Sequence, residues 1–340
     1  MNNTTDSNKA KQVLSLTIDR IDGAYAAATI RAYRSNFLNF ITYCESINSN
    51  ALPADPSTIS SYIEKLTEDG WRSASIRQTI ASIATIHTLN NFANPTMDSE
   101  VKLALKRMHR KIGRFSNQAN GINKAMLDEI LVATDNSLRG YRDRALLLIA
   151  YDTMCRRSEL VNIKLNNISE QKTYTKGNSS STVIFIEQSK TDQEANGRWL
   201  KIGNQATQAL HNWLEVSQIM DGCIFRGISR NEKLSDGLTP GQICRIYKRL
   251  ARTAGFDNDF ISHVSGHSIR VGAAQDLLLA GATLPMMMAK GRWSKPDTVM
   301  RYVEKVGFSI WVRLNELELN NHVHGYQHEK QANGSNYQCR

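Results

Sequence analysis

Residues 265–302 read SGHSIRVGAAQDLLLAGATLPMMMAKGRWSKPDTVMRY, and we expect the rest of the chain to be arranged around this stretch. His267 and Arg270 are three positions apart, so a helix that begins here places them one turn apart on the same face. Trp293 and Tyr302 follow further along. The stretch thus offers an imidazole, a guanidinium, an indole and a phenol, without the carboxylate cluster that a metal ion such as Mg²⁺ prefers.

The composition predicts two globular domains and a polyanionic partner. The chain has 340 residues, enough for about two domains, and 41% of them are hydrophobic, which supports sizeable cores. The formal net charge of +10 favours association with nucleic acid or with an acidic lipid surface. The sequence has neither a run of about 18 apolar residues to span a bilayer nor a large apolar face for a membrane-surface role.

The cysteines and the first residues favour a reducing compartment. The five cysteines are scattered and form no C-x-x-C pair, so we expect free thiols rather than disulfides or a zinc site. The first residues, MNNTTDSNK, lack the apolar core of a signal peptide. His263 and His267 form an H-x-x-x-H pair, but the zincin pattern needs Glu where this chain has Val264. We therefore expect a cytoplasmic protein with no metal and no other cofactor.

The chain divides by composition into four parts. Residues 1–115 contain only helical patterns, and residues 116–122 have the small, polar composition of a linker. Residues 123–319 combine helical patterns with a β-hairpin, and residues 320–340 are polar and predicted to be disordered. The predicted fold class is therefore mainly α, with a helical N-terminal domain and a mixed C-terminal domain that adds a small β-sheet.

Basic side chains recur on the N-terminal helical patterns. Helices predicted to begin at Thr29 and Ser75 each start with a capping side chain, and a helix over 98–112 is rich in lysine and arginine. Each basic residue alone can equally be a solvated surface residue, and the sequence does not separate base contacts from phosphate contacts. The side chains predicted to contact DNA are Arg31, Arg34, Arg77, Gln78, Lys106, Arg110, Arg245 and Lys248.

The groups of the quoted stretch suit an attack on a phosphodiester. A phenol has a pKa of about 10, so a tyrosine nucleophile needs a cationic surround or a nearby base. Guanidinium groups match the oxygens of a phosphate and remain charged. A histidine or lysine can protonate the leaving oxygen. An H-x-x-R string by itself is a weak signal, because it often arises by chance.

Together with two further motifs, the stretch resembles the tyrosine recombinases of the phage integrase family, most closely the Cre-type members. The motifs are MCRRSEL at 154–160 and Lys190, which lies in a loop between predicted strands at 182–187 and 198–202. The resemblance is strongest over 140–313. Before residue 115 it is only architectural.

The resemblance implies a role for each residue of the site. Family members bind the scissile phosphate with the Arg before S-E-L, the Arg of H-x-x-R and, in Cre-like members, a Trp where many others have a second His. A tyrosine attacks the phosphorus, a hairpin lysine protonates the leaving 5′ oxygen, a histidine assists the tyrosine, and an acidic residue supports the pocket. The corresponding residues here are Arg156, Arg270, Trp293, Tyr302, Lys190, His267 and Glu159.

Three of these assignments have rivals in the sequence. One arginine adjoins the first, and one lysine lies in the second predicted strand. One other tyrosine falls on an apolar stripe, and another lies among basic residues and can itself contact DNA instead. The rivals are Arg157 for Arg156, Lys201 for Lys190, and Tyr151 or Tyr247 for Tyr302.

The resemblance implies a site-specific recombinase, encoded by a bacterium, phage or plasmid and associated with the nucleoid. Its partner is double-stranded DNA with inverted-repeat sites, on which it forms a homotetramer and a 3′-phosphotyrosyl intermediate. An amphipathic segment at 308–319, with Trp311 and Leu314 on one side, is expected to dock into a neighbouring subunit, or else to pack within its own chain. Open alternatives are an integrase or Xer-type resolvase that needs accessory proteins, a type IB topoisomerase, and a catalytically silent DNA-binding regulator.

Overall fold

The computed structural model describes residues 2–114, 118–173, 179–187 and 197–304. The chain divides between Asn117 and Gln118 into two compact units. Both units are mainly helical, and the strands of the described ranges all belong to the second. The predicted fold class, mainly α with a small sheet, is confirmed. Across the described ranges, the helices are too short or too polar to pass through a lipid bilayer.

The helices of the first unit share one apolar core. Apolar side chains spaced three and four residues apart line one face of each helix, and Phe37, Phe40, Ile59 and Ile83 are fully inaccessible to solvent. The α-helices that the structure describes in this unit are α1 (Asn2–Arg20), α2 (Ala27–Ser46), α3 (Pro56–Glu68), α4 (Ser73–Leu89) and α5 (Ser99–Ile112).

The helix starts of this unit follow the sequence signals in part. Pro56 occupies the first turn of α3, and Asp98 caps α5 by accepting a 2.8 Å hydrogen bond from the backbone N–H of Glu100. The caps predicted at Thr29 and Ser75 are wrong, because α2 and α4 each begin two residues before these positions. In α4 a tertiary contact accounts for the added residues, since Ser73 is buried with its Oγ 3.1 Å from Nδ1 of His109.

The second unit contains the sheet and the remaining helices. The sheet has the antiparallel order β1-β2-β3. The sequence predicts β2 and β3, but it does not predict β1, whose residues ISEQKT include a single apolar side chain. The elements in chain order are α6 (Lys124–Val132), α7 (Leu138–Thr153), α8 (Arg157–Val161), β1 (Ile168–Thr173), β2 (Ser179–Ile186), β3 (Arg198–Lys201), α9 (Asn204–Ser217), α10 (Pro240–Thr253), α11 (Asn258–His263), α12 (Ser268–Leu279), α13 (Leu284–Gly291) and α14 (Pro296–Val303).

In the described part of this unit, two separate cores stabilise the fold. The larger one surrounds α7, which is buried on nearly all sides, and includes Trp213, whose indole N–H donates to the carbonyl of Ile224 at 2.7 Å. The smaller one joins the end of α7 to α12, α13 and α14 through Met154, Met287 and Trp293. Because the quoted stretch spans these last three helices, the smaller core sets the positions of its functional side chains.

Residues 120–122, which composition assigns to the linker, pack within the second unit. The backbone N–H groups of Asn120 and Ile122 donate to the carbonyls of His263 and Ser268 at 3.2 and 2.9 Å. Ile122 is inaccessible to solvent. The apolar side chain of Ile122 overrides the small, polar composition around it. Residues 115–117 lie outside the described ranges, and the domain boundary at 116–122 stays a prediction.

The close approach of this segment to α12 requires a glycine at position 272. A Cβ there would lie 1.9 Å from the backbone oxygen of Ile122, so one of the two segments must move. We expect Gly272→Ala to lower the free energy of unfolding by about 1–3 kcal/mol, measured by urea denaturation. Gly241→Ala on α10 is the matched control, because its Cβ would meet nothing within 4 Å. The control should be neutral or stabilising by up to about 1 kcal/mol, and equal stability of the two variants would contradict this packing.

Candidate active site

Arg270 lies in the first turn of α12 and is only 2% exposed. Its guanidinium donates to two backbone carbonyls, those of Met154 after α7 and Gly291 at the end of α13. Its Cζ atom also lies 4.6 Å from the centre of the Trp293 ring, which is a cation–π contact. One buried cation therefore joins the ends of two other helices.

The chain leaves α7 at Met154, and Arg156 follows two residues later. Met154 has left-handed backbone angles (φ 50°, ψ 32°) and ends the helix. Glu159, whose side chain is 2% exposed, accepts hydrogen bonds from the backbone N–H of Arg156 at 2.9 Å and from its Nη1 at 2.8 Å. The side chain of Arg156 is 16% exposed. The carboxylate thus fixes the guanidinium of Arg156 at a point that solvent can still reach.

Arg292 adds a third guanidinium, which the sequence motifs do not predict. Its Nη2 lies 2.6 Å from Oε2 of Glu159, and its Nη1 donates to the carbonyl of Thr153 at 3.0 Å. It follows α13 in a left-handed conformation (φ 55°), and its side chain is 7% exposed. The one signal in the sequence was its position beside Trp293, and a basic residue at a helix end is usually exposed.

Trp293 and Tyr302 lie together beside Arg270. The two rings have centroids 5.6 Å apart, and the indole is 6% exposed. A Cβ at Gly291 would lie 2.1 Å from the indole, so this glycine gives the ring its place against the end of α13.

Two polar atoms in this region are buried without a hydrogen-bond partner, which is unusual in a folded protein. They are Nδ1 of His267, just before α12, and Nε of Arg292. In the part of the chain that the structure describes, the other such atoms are Oγ of Ser60 and Oγ1 of Thr79. Unpaired polar atoms beside three guanidinium groups indicate a site that binds a polar ligand.

Burial and positive neighbours determine the charge of each group. Burial lowers the pKa of His267, and the charges of Arg157, Arg270 and Arg156 lower it further, so the imidazole is neutral at pH 7. Burial, with the charges of Arg156 and Arg292, lowers the pKa of Arg270 to about 10, at which the guanidinium stays protonated at neutral pH.

Glu159 remains ionised although it is buried. Burial alone raises the pKa of its carboxyl group, but the charge of Arg292 and the hydrogen bonds from Arg156 outweigh this effect and lower the pKa below its usual value. Among the described residues of the pocket, three guanidinium groups and one carboxylate (three positive charges minus one) give a net charge of +2. The site is suited to an anion, and the described residues contain no group of three or more His, Cys, Asp or Glu side chains that could hold a metal ion.

The rival residues lie outside this group. Tyr151 is half-buried and donates to Asp276 at 2.6 Å, and Tyr247 is 2% exposed within the larger core. Burial raises the pKa of both phenols. The alternative that Tyr247 contacts DNA is wrong, because its side chain does not reach the surface. Arg157 is exposed, and its aliphatic stem lies against Gly266.

The remaining predicted residues are either outside the described ranges or make no contact with the pocket that the structure describes. Lys190 lies outside the described residues, and its rival Lys201 is exposed at the end of β3. Lys248 is half-buried, and its Nζ donates to the carbonyl of Ser262 at 2.8 Å. The other side chains predicted to contact DNA are exposed, and the described structure gives none of them a salt bridge: Arg31, Arg34, Arg77, Gln78, Lys106, Arg110 and Arg245.

Sequence comparisons give relatives over nearly the whole chain. An integrase/recombinase XerD homolog of Selenomonas ruminantium is 29% identical over 318 residues, covering 89% of this chain and 87% of the relative. The recombinase Cre of Escherichia phage P1 is 24% identical over 330 residues, covering 92% of this chain and 94% of the relative. Since identity is higher with the XerD homolog, the comparisons do not favour Cre-type over Xer-type members.

The fold is also similar to those of solved recombinases. The XerH site-specific recombinase bound to its palindromic difH substrate matches with a TM-score of 0.58 and 16% identity, over 83% of this chain and 79% of that one. A lambda integrase dimer bound to a COC′ core site matches with a TM-score of 0.55 and 14% identity, over 86% of this chain and 76% of that one. A model of the phage integrase family matches residues 120–306, which include the whole pocket. Because this match covers more than half of the 340 residues, the chain belongs to the phage integrase family, the family of the tyrosine recombinases.

Proposed function

We propose that this protein is a site-specific DNA recombinase that cuts and rejoins DNA through a 3′-phosphotyrosyl intermediate. The observation that carries the proposal is the cluster in which Arg156, Arg270, Trp293 and Tyr302 come together from four segments of the chain. A net positive pocket beside a phenol is what an attack on a phosphodiester needs, because charge that develops on the phosphate oxygens must be stabilised.

The proposed reaction exchanges one phosphoester bond for another. The phenol oxygen of Tyr302 attacks the scissile phosphorus, and the bond from phosphorus to the 5′ oxygen breaks. Arg156, Arg270 and the indole N–H of Trp293 bind the non-bridging oxygens. The neutral imidazole of His267 accepts or relays the phenol proton, and Lys190 protonates the leaving oxygen. Attack by a second 5′-hydroxyl then releases Tyr302, and no nucleotide hydrolysis is required because the bonds made and broken are alike.

The proposed assembly is a tetramer on two double-stranded DNA sites. The XerH structure bound to its difH substrate and the lambda integrase structure bound to a core site support DNA as the partner. The exposed cations of the first unit are proposed to contact that DNA, and the segment at 308–319 to dock into a neighbouring subunit. Recombination of paired sites by the purified protein alone separates an autonomous recombinase from one that needs accessory proteins, whereas relaxation of any supercoiled plasmid indicates a topoisomerase.

Tyr302→Phe tests the nucleophile. The variant lacks the attacking oxygen but keeps the ring that packs on Trp293, so it should bind target DNA with an unchanged Kd and form no covalent adduct on a nicked suicide substrate. Tyr151→Phe is the matched control and should form the adduct, because the hydroxyl of Tyr151 is already bound to Asp276. Normal cleavage by Tyr302→Phe, or loss of cleavage only in Tyr151→Phe, would refute the assignment.

The lowered pKa of His267 predicts the acid side of the pH–rate profile. The imidazole accepts a proton only when neutral, so single-turnover cleavage should be fully active above its pKa and should decline as pH falls through that pKa, which lies below the ordinary value of 6.5. His267→Asn should lower the rate and remove this decline. His211→Asn, at an exposed position of α9, should leave the profile unchanged. An acid midpoint above 6.5 would contradict the role of a neutral imidazole.

Deleting residues 307–340 tests the proposed docking segment. The truncated protein should keep its helical circular dichroism and melting temperature and bind a single site, but it should no longer join two sites in sedimentation or gel-shift experiments. An unfolded product would mean that the segment packs within its own chain. Tetramer formation by the folded truncation would place the interface elsewhere.

A further inference from the structure

Arg292 lies between the segment that carries Arg156 and the segment that carries Trp293. One of its nitrogens donates to the carbonyl of Thr153 at the end of α7, and another donates to Glu159 in α8 and lies 3.6 Å from Sγ of Cys155. Its own backbone leads directly into Trp293. Arg292 therefore ties the segment that holds Arg156 to the segment that holds the indole.

Glu159 needs this second cation because it is buried. Its Oε1 accepts from Nη1 of Arg156, and its Oε2 accepts from Arg292 at 2.6 Å. Without Arg292, the full charge of the carboxylate would face Arg156 alone and would offset the charge that Arg156 presents to an anion. With Arg292 present, the carboxylate orients Arg156 while the pocket keeps its positive charge.

We propose, resting on the recombinase function above, that Arg292 is a positioning residue of the reaction. It holds Glu159, and through Glu159 it orients Arg156 for the scissile phosphate. Both of its Nη atoms donate to protein acceptors, Thr153 and Glu159, so its proposed effect on the reaction passes through Glu159. Its removal should therefore affect the cleavage step more than the binding of DNA.

Because the backbone of Arg292 is left-handed, substitution by glycine removes the side chain without straining the main chain. Glycine accepts φ 55° without strain, so Arg292→Gly removes the guanidinium while favouring the same backbone. Gln218→Gly is the matched control, because Gln218 also follows a helix with left-handed angles (φ 52°) and lies far along the chain from the pocket. Arg292→Lys keeps one charge but lacks the planar fork that serves Glu159 and Thr153 together.

The experiment measures single-turnover cleavage of a nicked target site at saturating protein, together with the Kd for the same DNA. Arg292→Gly should cleave about 10- to 100-fold more slowly, as misplaced catalytic groups do, with a Kd close to that of the wild type. Arg292→Lys should recover part of the rate, and Gln218→Gly should cleave at the wild-type rate. Cleavage by Arg292→Gly at the rate of Gln218→Gly would overturn the proposal.

A second comparison separates positioning through Glu159 from general stabilisation of the fold. In Glu159→Gln protein the carboxylate charge is gone, so adding Arg292→Gly should slow cleavage much less than it does alone. An equal slowing in both backgrounds would overturn the proposed route through Glu159. If Arg292→Gly does not fold, Arg292→Lys decides: unchanged Kd with slower cleavage supports the proposal, and unchanged cleavage overturns it.

The result for the wild-type protein distinguishes a failure of the recombinase function from a failure of the role proposed for Arg292. If wild-type protein forms no covalent adduct with any target DNA, the recombinase function fails. If it forms the adduct and Arg292→Gly does so equally fast, only the role of Arg292 fails.

Discussion

A buried guanidinium must find acceptors for its N–H groups, and Arg270 meets this demand by binding the ends of two other helices. An unpaired charge in the interior costs several kcal/mol, so α12 can bury Arg270 only if the carbonyls of Met154 and Gly291 are in place. The same contacts bring Trp293 against the guanidinium and Tyr302 against Trp293. The small core of the second unit and the candidate site therefore form together.

The pocket concentrates features that are unfavourable for stability. Three cations surround one buried carboxylate, and the two residues that end α7 and α13, Met154 and Arg292, both adopt left-handed backbone angles without being glycine. Nδ1 of His267 is buried without a partner. Strain and unpaired polar groups of this kind collect where a protein is organised to bind rather than to be stable. A phosphate diester would supply the negative charge and the acceptors that the pocket lacks.

The sequence predicts most of this site because its residue types are tied to local motifs. His267 and Arg270 share a helical start, and the fixed spacing from Arg156 to Glu159 matches a single turn. It does not predict Arg292, because nothing local shows that a basic side chain after a helix turns inward to a carboxylate more than a hundred residues away. β1 is missed for a related reason: its polar residues form a strand only through pairing with β2. Local patterns also assign residues 120–122 to a linker, whereas their tertiary hydrogen bonds are made within the second unit.

The most direct test of the account is the chemical identity of the covalent link to DNA. The protein is trapped on a nicked target site and digested, and the peptide that carries the nucleotide is sequenced by mass spectrometry. The account predicts a single modified peptide, with the phosphate joined to the phenol oxygen of Tyr302 and to the 3′ oxygen of the DNA. A nucleotide attached to any other side chain, or through a 5′ phosphate, would contradict it.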